Sequence, residues 1–361
     1  MRILFVSRAF PPTIGGIEQQ NADLARFLGK ECELTLIANR RGKRFLPLFF
    51  LWAMIRTLFL LPRHDVLLLG DGVLALLGAV AKYFNPHKTV VTVLHGLDIT
   101  YTNRFYQKLW VGMFFRTLDG AIAVSHATKM EAVKRGFDAS KIFVIPNGIE
   151  SSRFHFPKDR AKLSQLFGFD TTQHIILLTI GRLVKRKGVA WFIQNVLPIL
   201  PPEFCYAVAG TGPEETAIHE AIARSGTTER VKLLGRVDDA TRETLLANAD
   251  IFIQPNIPVT GDMEGFGIAV IEASAAGLPV VASRLEGLQD AIVDGENGRL
   301  VTPEQPSEFA QTLKQMDDPT RRKQQGERGQ HFTIEHFEWT KIARRYIALI
   351  EDFRKSMLDT H

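Results

Sequence analysis

Cysteine is nearly missing: only Cys32 and Cys205 occur in 361 residues, far apart in the chain. That leaves no disulfide framework and no thiols spaced to take a zinc ion. Low-complexity tracts and short-period repeats are absent as well. The glycine loop after the first apolar run reads PPTIGG (11–16) rather than the GxGxxG of a nicotinamide-binding turn, so a dehydrogenase is not expected. No Lys/Arg-rich recognition motif or stacking platform stands out, so nucleic acid is not an expected partner. The start, MRILFVSRAF, has too short an apolar stretch for a signal peptide and reads as a first β-strand. The cytoplasm is the expected compartment.

What is present is ordinary in bulk and regular in order. Apolar residues make up 45% and charged residues 23%, as in a globular chain with about two domains of roughly 150 residues each. Short apolar runs at 3–7, 33–38, 66–69, 89–94, 121–124 and 142–145 alternate with helical patterns. After a polar connection around 151–168 the pattern restarts at 175–180, 205–209, 231–234, 251–254 and 280–282. Alternating strands and helices imply parallel sheets covered on both faces. The expectation is an α/β chain of two Rossmann-like, doubly wound domains facing a cleft, 1–165 and 166–336. A last amphipathic helix at about 337–361 would pack back on the first.

Charge is unevenly shared. Residues 1–170 carry 23 Lys+Arg against 13 Asp+Glu, and the remainder 21 against 26. A basic first half suggests an anionic partner. Arg40, Arg41, Lys43 and Arg44 precede the stretch FLPLFFLWAMIRTLFLLP (45–62), which includes Phe49, Phe50 and Trp52. Pro47 and Arg56 interrupt it, so a span is not expected; a basic, aromatic-rich helix fits an interfacial element on an anionic membrane surface. Tyr101–Leu118 has the same aromatic-plus-basic character.

Polar and glycine residues gather where strands end: Gly15 and Gly16, His95, Asn147, Arg182, Gly212 and Glu264. Ligands of α/β sheets bind at the carboxyl ends of strands. In EGFGIAVIE, Glu264 and Glu272 lie eight residues apart around a helix start. Ionised carboxylates only accept hydrogen bonds and suit hydroxyls, while the N–H groups of Phe266, Gly267 and Ile268 suit a phosphate. Glu272, on a helix of small residues, is expected to be buried and satisfied by a ligand's hydroxyl pair. In GRLVKRKG (181–188), Arg182 and Lys187 suit two phosphates, whereas Lys185 and Arg186 are expected to be solvated. Hydroxyls beside phosphates describe a nucleotide sugar.

GGIE (15–18), HG (95–96), PNGIE (146–150), GRLVKRKG and EGFGIAVIEA together resemble glycosyltransferase family 4, retaining enzymes of the GT-B fold, along essentially the whole chain. The resemblance implies that Arg182 and Lys187 hold the donor diphosphate, with Glu272 on the ribose and Glu264 on the transferred sugar. Amides of Phe266, Gly267 and Ile268 would support sugar and phosphate, and Gly212 would lie in the base pocket. Gly15, Gly16, His95 and Asn147 would form the acceptor side, with His95 beside the reacting sugar. A UDP- or GDP-sugar donor and a glycan or lipid-linked acceptor follow, on the inner face of the cell membrane. No metal or other cofactor is expected: the fixed charges take that place and no Asp-x-Asp motif is seen. The chain departs from the family pattern at IPVTGDM (257–263), which intervenes before EGFG and leaves donor selectivity unread. The competing readings are a sugar-nucleotide epimerase, a phosphorylase (whose pyridoxal-lysine setting is not seen) and an inactive sugar-nucleotide-binding subunit.

Overall fold

A computed structural model describes residues 1–13 and 15–359; the last two residues of the expected C-terminal helix stretch lie outside the described residues. The chain forms two compact units. The first comprises residues 1–148, 261–266 and 339–361, and the second 149–260 and 267–338. The division thus falls at Gly148, not near 165, and the helix Arg160–Phe167 belongs to the second unit.

The first unit holds β1 (Arg2–Ser7), β2 (Glu33–Ala38), β3 (Val66–Leu69), β4 (Thr89–Leu94), β5 (Gly120–Ala123) and β6 (Ile142–Val144). They form one parallel sheet in the order β2-β1-β3-β4-β5-β6. The second holds β7 (Ile175–Ile180), β8 (Phe204–Ala209), β9 (Val231–Gly235), β10 (Ile251–Gln254), β11 (Val280–Ser283) and β12 (Arg299–Val301). Its order is β12-β11-β10-β7-β8-β9, again all parallel. Only β12, a three-residue strand, has no counterpart among the expected apolar runs. Central strands such as β3, β4, β8 and β10 are buried throughout, as sheets covered on both faces require.

Each sheet reverses its winding beside its first strand, between β1 and β3 in one unit and between β7 and β10 in the other. Such switch points open a crevice at the carboxyl ends of the strands. The C-terminal helix Trp339–Asp359 buries Trp339, Ile342, Tyr346, Ile350 and Phe353 within the first unit. Trp339 stacks on Phe27 at 6.1 Å. It leaves room only for glycine at Gly148, where a Cβ would stand 2.5 Å from the indole.

Candidate functional site

In the second unit the loops leaving β7, β8 and β10 are knit together by backbone. A Cβ on Gly210 would lie 1.8 Å from the Gly181 carbonyl oxygen, and one on Gly212 2.1 Å from that of Leu183. Leu183 N–H donates to the Thr211 carbonyl at 3.0 Å, and Ile257 N–H to that of Arg186 at 2.9 Å. Gly188 has φ +65°, and its Cβ would meet the Pro255 carbonyl oxygen at 1.8 Å. These contacts fix GRLVKRKG at the switch point: the Arg182 side chain is exposed, with no partner among the described residues, and Lys187 is buried. Lys185 is exposed as expected, but Arg186 is half-buried.

The helix Ile268–Ala275 starts at Gly267, whose φ of +94° favours glycine. Of its first-turn amides, Val270 N–H turns back to the Gly267 carbonyl at 3.0 Å, and those before it precede the first intrahelical acceptor. Its small face packs as the composition suggests: Ser274 Oγ accepts from Thr333 Oγ1 at 2.8 Å, on the helix Pro319–Phe337. Glu272, expected to be buried, is half-buried, and its Oε2 pairs with Arg242 at 2.7 Å.

The first unit gathers His95, Gly96 and Glu264. His95 is buried, and its Nε2 lies 2.9 Å from the Gly70 carbonyl oxygen. A carbonyl only accepts, so Nε2 carries a proton and Nδ1 is the nitrogen left for other partners. Met263 packs on Gly96 (φ +101°), and Gly265 approaches the His95 carbonyl so closely that a Cβ would stand 2.1 Å from it. Glu264, between them, is buried. Gly15 precedes the helix Gly16–Glu31. Asn147 is buried, and its Oδ1 has no partner among the described residues.

Composition drew no notice to two buried carboxylates here. Asp98 accepts from the N–H of His95 and of Gly72, both at 3.0 Å. Burial pushes its carboxyl upward, more than His95 and those N–H groups pull it down. Asp71 takes Arg8 Nε at 2.9 Å. Burial tends to lower the Arg8 guanidinium, but Asp71 outweighs it and the net shift is upward. The only sequence signals were their positions just after β3 and β4.

The helix Leu46–Leu60 buries Phe49, Ala53 and Thr57 in the first core, so Phe49 is a core residue rather than a membrane contact. Phe50 is half-buried. Leu48, Leu51, Trp52, Ile55 and Phe59 are exposed, Leu48 by 68% and Phe59 by 77%. Arg40, Arg41, Lys43 and Arg44 are exposed or half-exposed just before it. Among the described residues Lys43–Arg63 is the one helix long and apolar enough to cross a membrane, by length and composition only. In Tyr101–Leu118, Tyr101, Phe105 and Met113 are exposed while Val111 and Phe115 are core.

The family described as Glycosyltransferase Family 4 matches residues 14–153, and that described as Glycosyl transferases group 1 matches residues 174–317. A GDP-mannose-dependent alpha-(1-6)-phosphatidylinositol monomannoside mannosyltransferase of Mycolicibacterium smegmatis is 26% identical, covering 98% of this chain and 99% of that one. A GDP-mannose-dependent monoacylated alpha-(1-6)-phosphatidylinositol monomannoside mannosyltransferase of Corynebacterium glutamicum is 24% identical over 97% and 98%. The structure of Anabaena Alr3699/HepE in complex with UDP-glucose superposes with a TM-score of 0.78 at 22% identity, covering 98% of this chain and 100% of that one. It has the same fold.

Proposed function

Because this chain belongs to glycosyltransferase family 4, we propose that it transfers a sugar from a UDP- or GDP-sugar to a hydroxyl of a lipid-linked or membrane-glycan acceptor. Transfer would retain the anomeric configuration and use no metal ion. The observation that carries the donor side is the backbone-locked switch point of the second unit, where Arg182, Lys187 and the start of Ile268–Ala275 leave neighbouring strands. The mannosyltransferase relatives, whose names specify GDP-mannose and phosphatidylinositol mannosides, support a nucleotide-sugar donor and a lipid acceptor. An epimerase or an inactive subunit is not favoured.

The chemistry follows from where charge develops. As the anomeric C–O bond breaks, the diphosphate gains negative charge. The guanidinium of Arg182, the ammonium of Lys187 and the amides of Phe266, Gly267 and Ile268 stabilise it. Glu272 takes the ribose hydroxyls by leaving Arg242, and Gly212 lets the nucleotide base approach the backbone. Glu264 accepts hydroxyls of the transferred sugar, beside His95. Gly15, Gly16 and Asn147 serve the acceptor. The acceptor oxygen forms the new bond on the face the diphosphate leaves, and its proton passes to the departing phosphate oxygen. Arg40, Arg41, Lys43, Arg44 and the exposed face around Trp52 hold the protein on the inner, anionic surface of the cell membrane.

Arg182→Ala tests this reading. Transfer should fall by at least about 100-fold, while the melting temperature holds because Arg182 is exposed and has no partner among the described residues. Undiminished transfer would overturn the assigned role.

A further inference from the structure

The switch point of the first unit is not empty of charge. Arg8 leaves β1 and Asp71 leaves β3, the two strands between which the winding reverses. Arg8 Nε donates to Asp71 Oδ1 at 2.9 Å; the Asp71 side chain is fully buried, whereas that of Arg8 is 24% exposed. Asp71 Oδ1 also accepts Val73 N–H at 3.0 Å, and Oδ2 has no partner among the described residues. A guanidinium carries five N–H groups in a rigid fork. Among the described residues only the Nε–H of Arg8 is bonded, so the fork's outer edge is unused.

The residue is held firmly from behind. Asn39 Nδ2 donates to the Arg8 carbonyl at 3.3 Å, and Asn21 Nδ2 to the Ala9 carbonyl at 3.2 Å and to Ser7 Oγ at 3.0 Å. Asn39 also ties the basic loop to this place, donating to the Gly42 carbonyl at 3.0 Å. Arg40 lies over the Phe10 ring at 5.6 Å. The basic loop bearing Arg40 and Arg41, which leads to Leu46–Leu60, is thus tied to the backbone of Arg8.

We propose that Arg8, braced by Asp71, reads a phosphate carried by the acceptor. The outer N–H edge of the guanidinium takes two phosphate oxygens side by side, a match that a lysine ammonium does not reproduce. Asp71 sets the plane of the fork and keeps it from folding onto the protein. This rests on the acceptor reading of the first unit given above and names the acceptor's class: a sugar or polyol phosphate, or its lipid ester.

Glycerol phosphate is the probe, titrated calorimetrically into full-length Arg182→Ala/Lys187→Ala protein, in which the donor phosphate site is disabled. That protein should still bind it. Adding Arg8→Lys should weaken binding about tenfold. Adding Arg8→Gln with Asp71→Asn, which leaves no lone buried charge, should abolish it. No binding to begin with, or binding that neither change alters, overturns the proposal. In the otherwise wild-type chain, Arg8→Lys should leave the thermal shift by UDP or GDP intact; failure of both nucleotides to stabilise even the wild type would instead sink the donor reading. A lipid-borne phosphate also requires Arg8→Lys to lower sedimentation with phosphatidylglycerol vesicles. A soluble acceptor requires sedimentation to stay constant while glycerol phosphate affinity falls. Either result upholds the anion site and names its source.

Discussion

The ligand edges of the two units are made of different material. In the second, backbone meets backbone, and Gly188, Gly210 and Gly212 permit approaches that any Cβ would block. In the first, Gly265 alone makes such an approach, against the His95 carbonyl, and most of the edge is a mesh of side chains: Arg8 on Asp71, His95 on Gly70, Asp98 under His95 and Gly72, Asn21 on Ser7. That mesh is incompletely satisfied: buried Asp71 Oδ2, Thr100 Oγ1 and Asn147 Oδ1 have no partner among the described residues. Buried polar groups without partners are costly unless something else supplies one. On the proposed reading, a backbone edge suits the part common to every donor, the diphosphate, and a side-chain edge the part that differs between enzymes, the acceptor.

The largest expected effect breaks the comparison at its glycines. Gly188→Ala sets a Cβ against a fixed carbonyl oxygen at φ +65°, and should cost about 3 kcal/mol or more. Gly96→Ala in the first unit meets the flexible Met263 side chain at 3.2 Å and the Gly265 Cα no nearer than 3.4 Å, at φ +101°. It should cost less, about 1–3 kcal/mol, the strain of a side chain at φ +101° and ψ −67°. Urea midpoints of the two variants decide. Equal losses, or the reverse order, would show that backbone contact is not what stiffens the second edge.

The same contrast explains what could be read from the sequence. Period and burial located every strand but β12, because strands buried on both faces are unbroken apolar runs; Thr89–Leu94 and Ile251–Gln254 fall on the expected residues. β12 has three residues, Arg299–Val301, too few for any period to show. The backbone edge was legible because it needs glycine, and GRLVKRKG and EGFG advertise it. The side-chain edge was not, since Arg8, Asp71 and Asp98 are single charges until β1, β3 and β4 bring them together. Phe49 was misplaced because an apolar helix says nothing of which face is covered. The pairing of Glu272 with Arg242 could not be read either, because Arg242 comes from another helix, Asp239–Asn248, thirty residues earlier.

A middle-sized effect sharpens the donor side. On the proposed ribose role, Glu272→Gln removes a charged acceptor worth about 1.5 kcal/mol, so UDP or GDP affinity should fall about tenfold. Arg242→Gln should change stability by less than about 1 kcal/mol, since the pair is partly exposed. Calorimetric titration of each variant is the check. Unchanged affinity in Glu272→Gln would remove this carboxylate from the donor site and leave its pairing with Arg242 as its whole role.

The smallest effect on stability carries the largest difference between the units' surfaces. Exposed large apolar side chains crowd the first unit, while among the described residues the second shows only Ile199 and Val293. Leu51 and Phe59 project from a helix whose other face, at Phe49 and Ala53, is already core. Replacing both by serine removes no buried contact and should shift stability by no more than about 0.5 kcal/mol. Binding to vesicles containing anionic lipid should nevertheless be lost, because apolar insertion and charge attraction act together at an interface. Reversing Arg40, Arg41, Lys43 and Arg44 to Glu should abolish the dependence on anionic lipid. If the serine variant sediments with vesicles as the parent does, the apolar face has some task other than the membrane. If it also melts early, that face is packed within the protein after all.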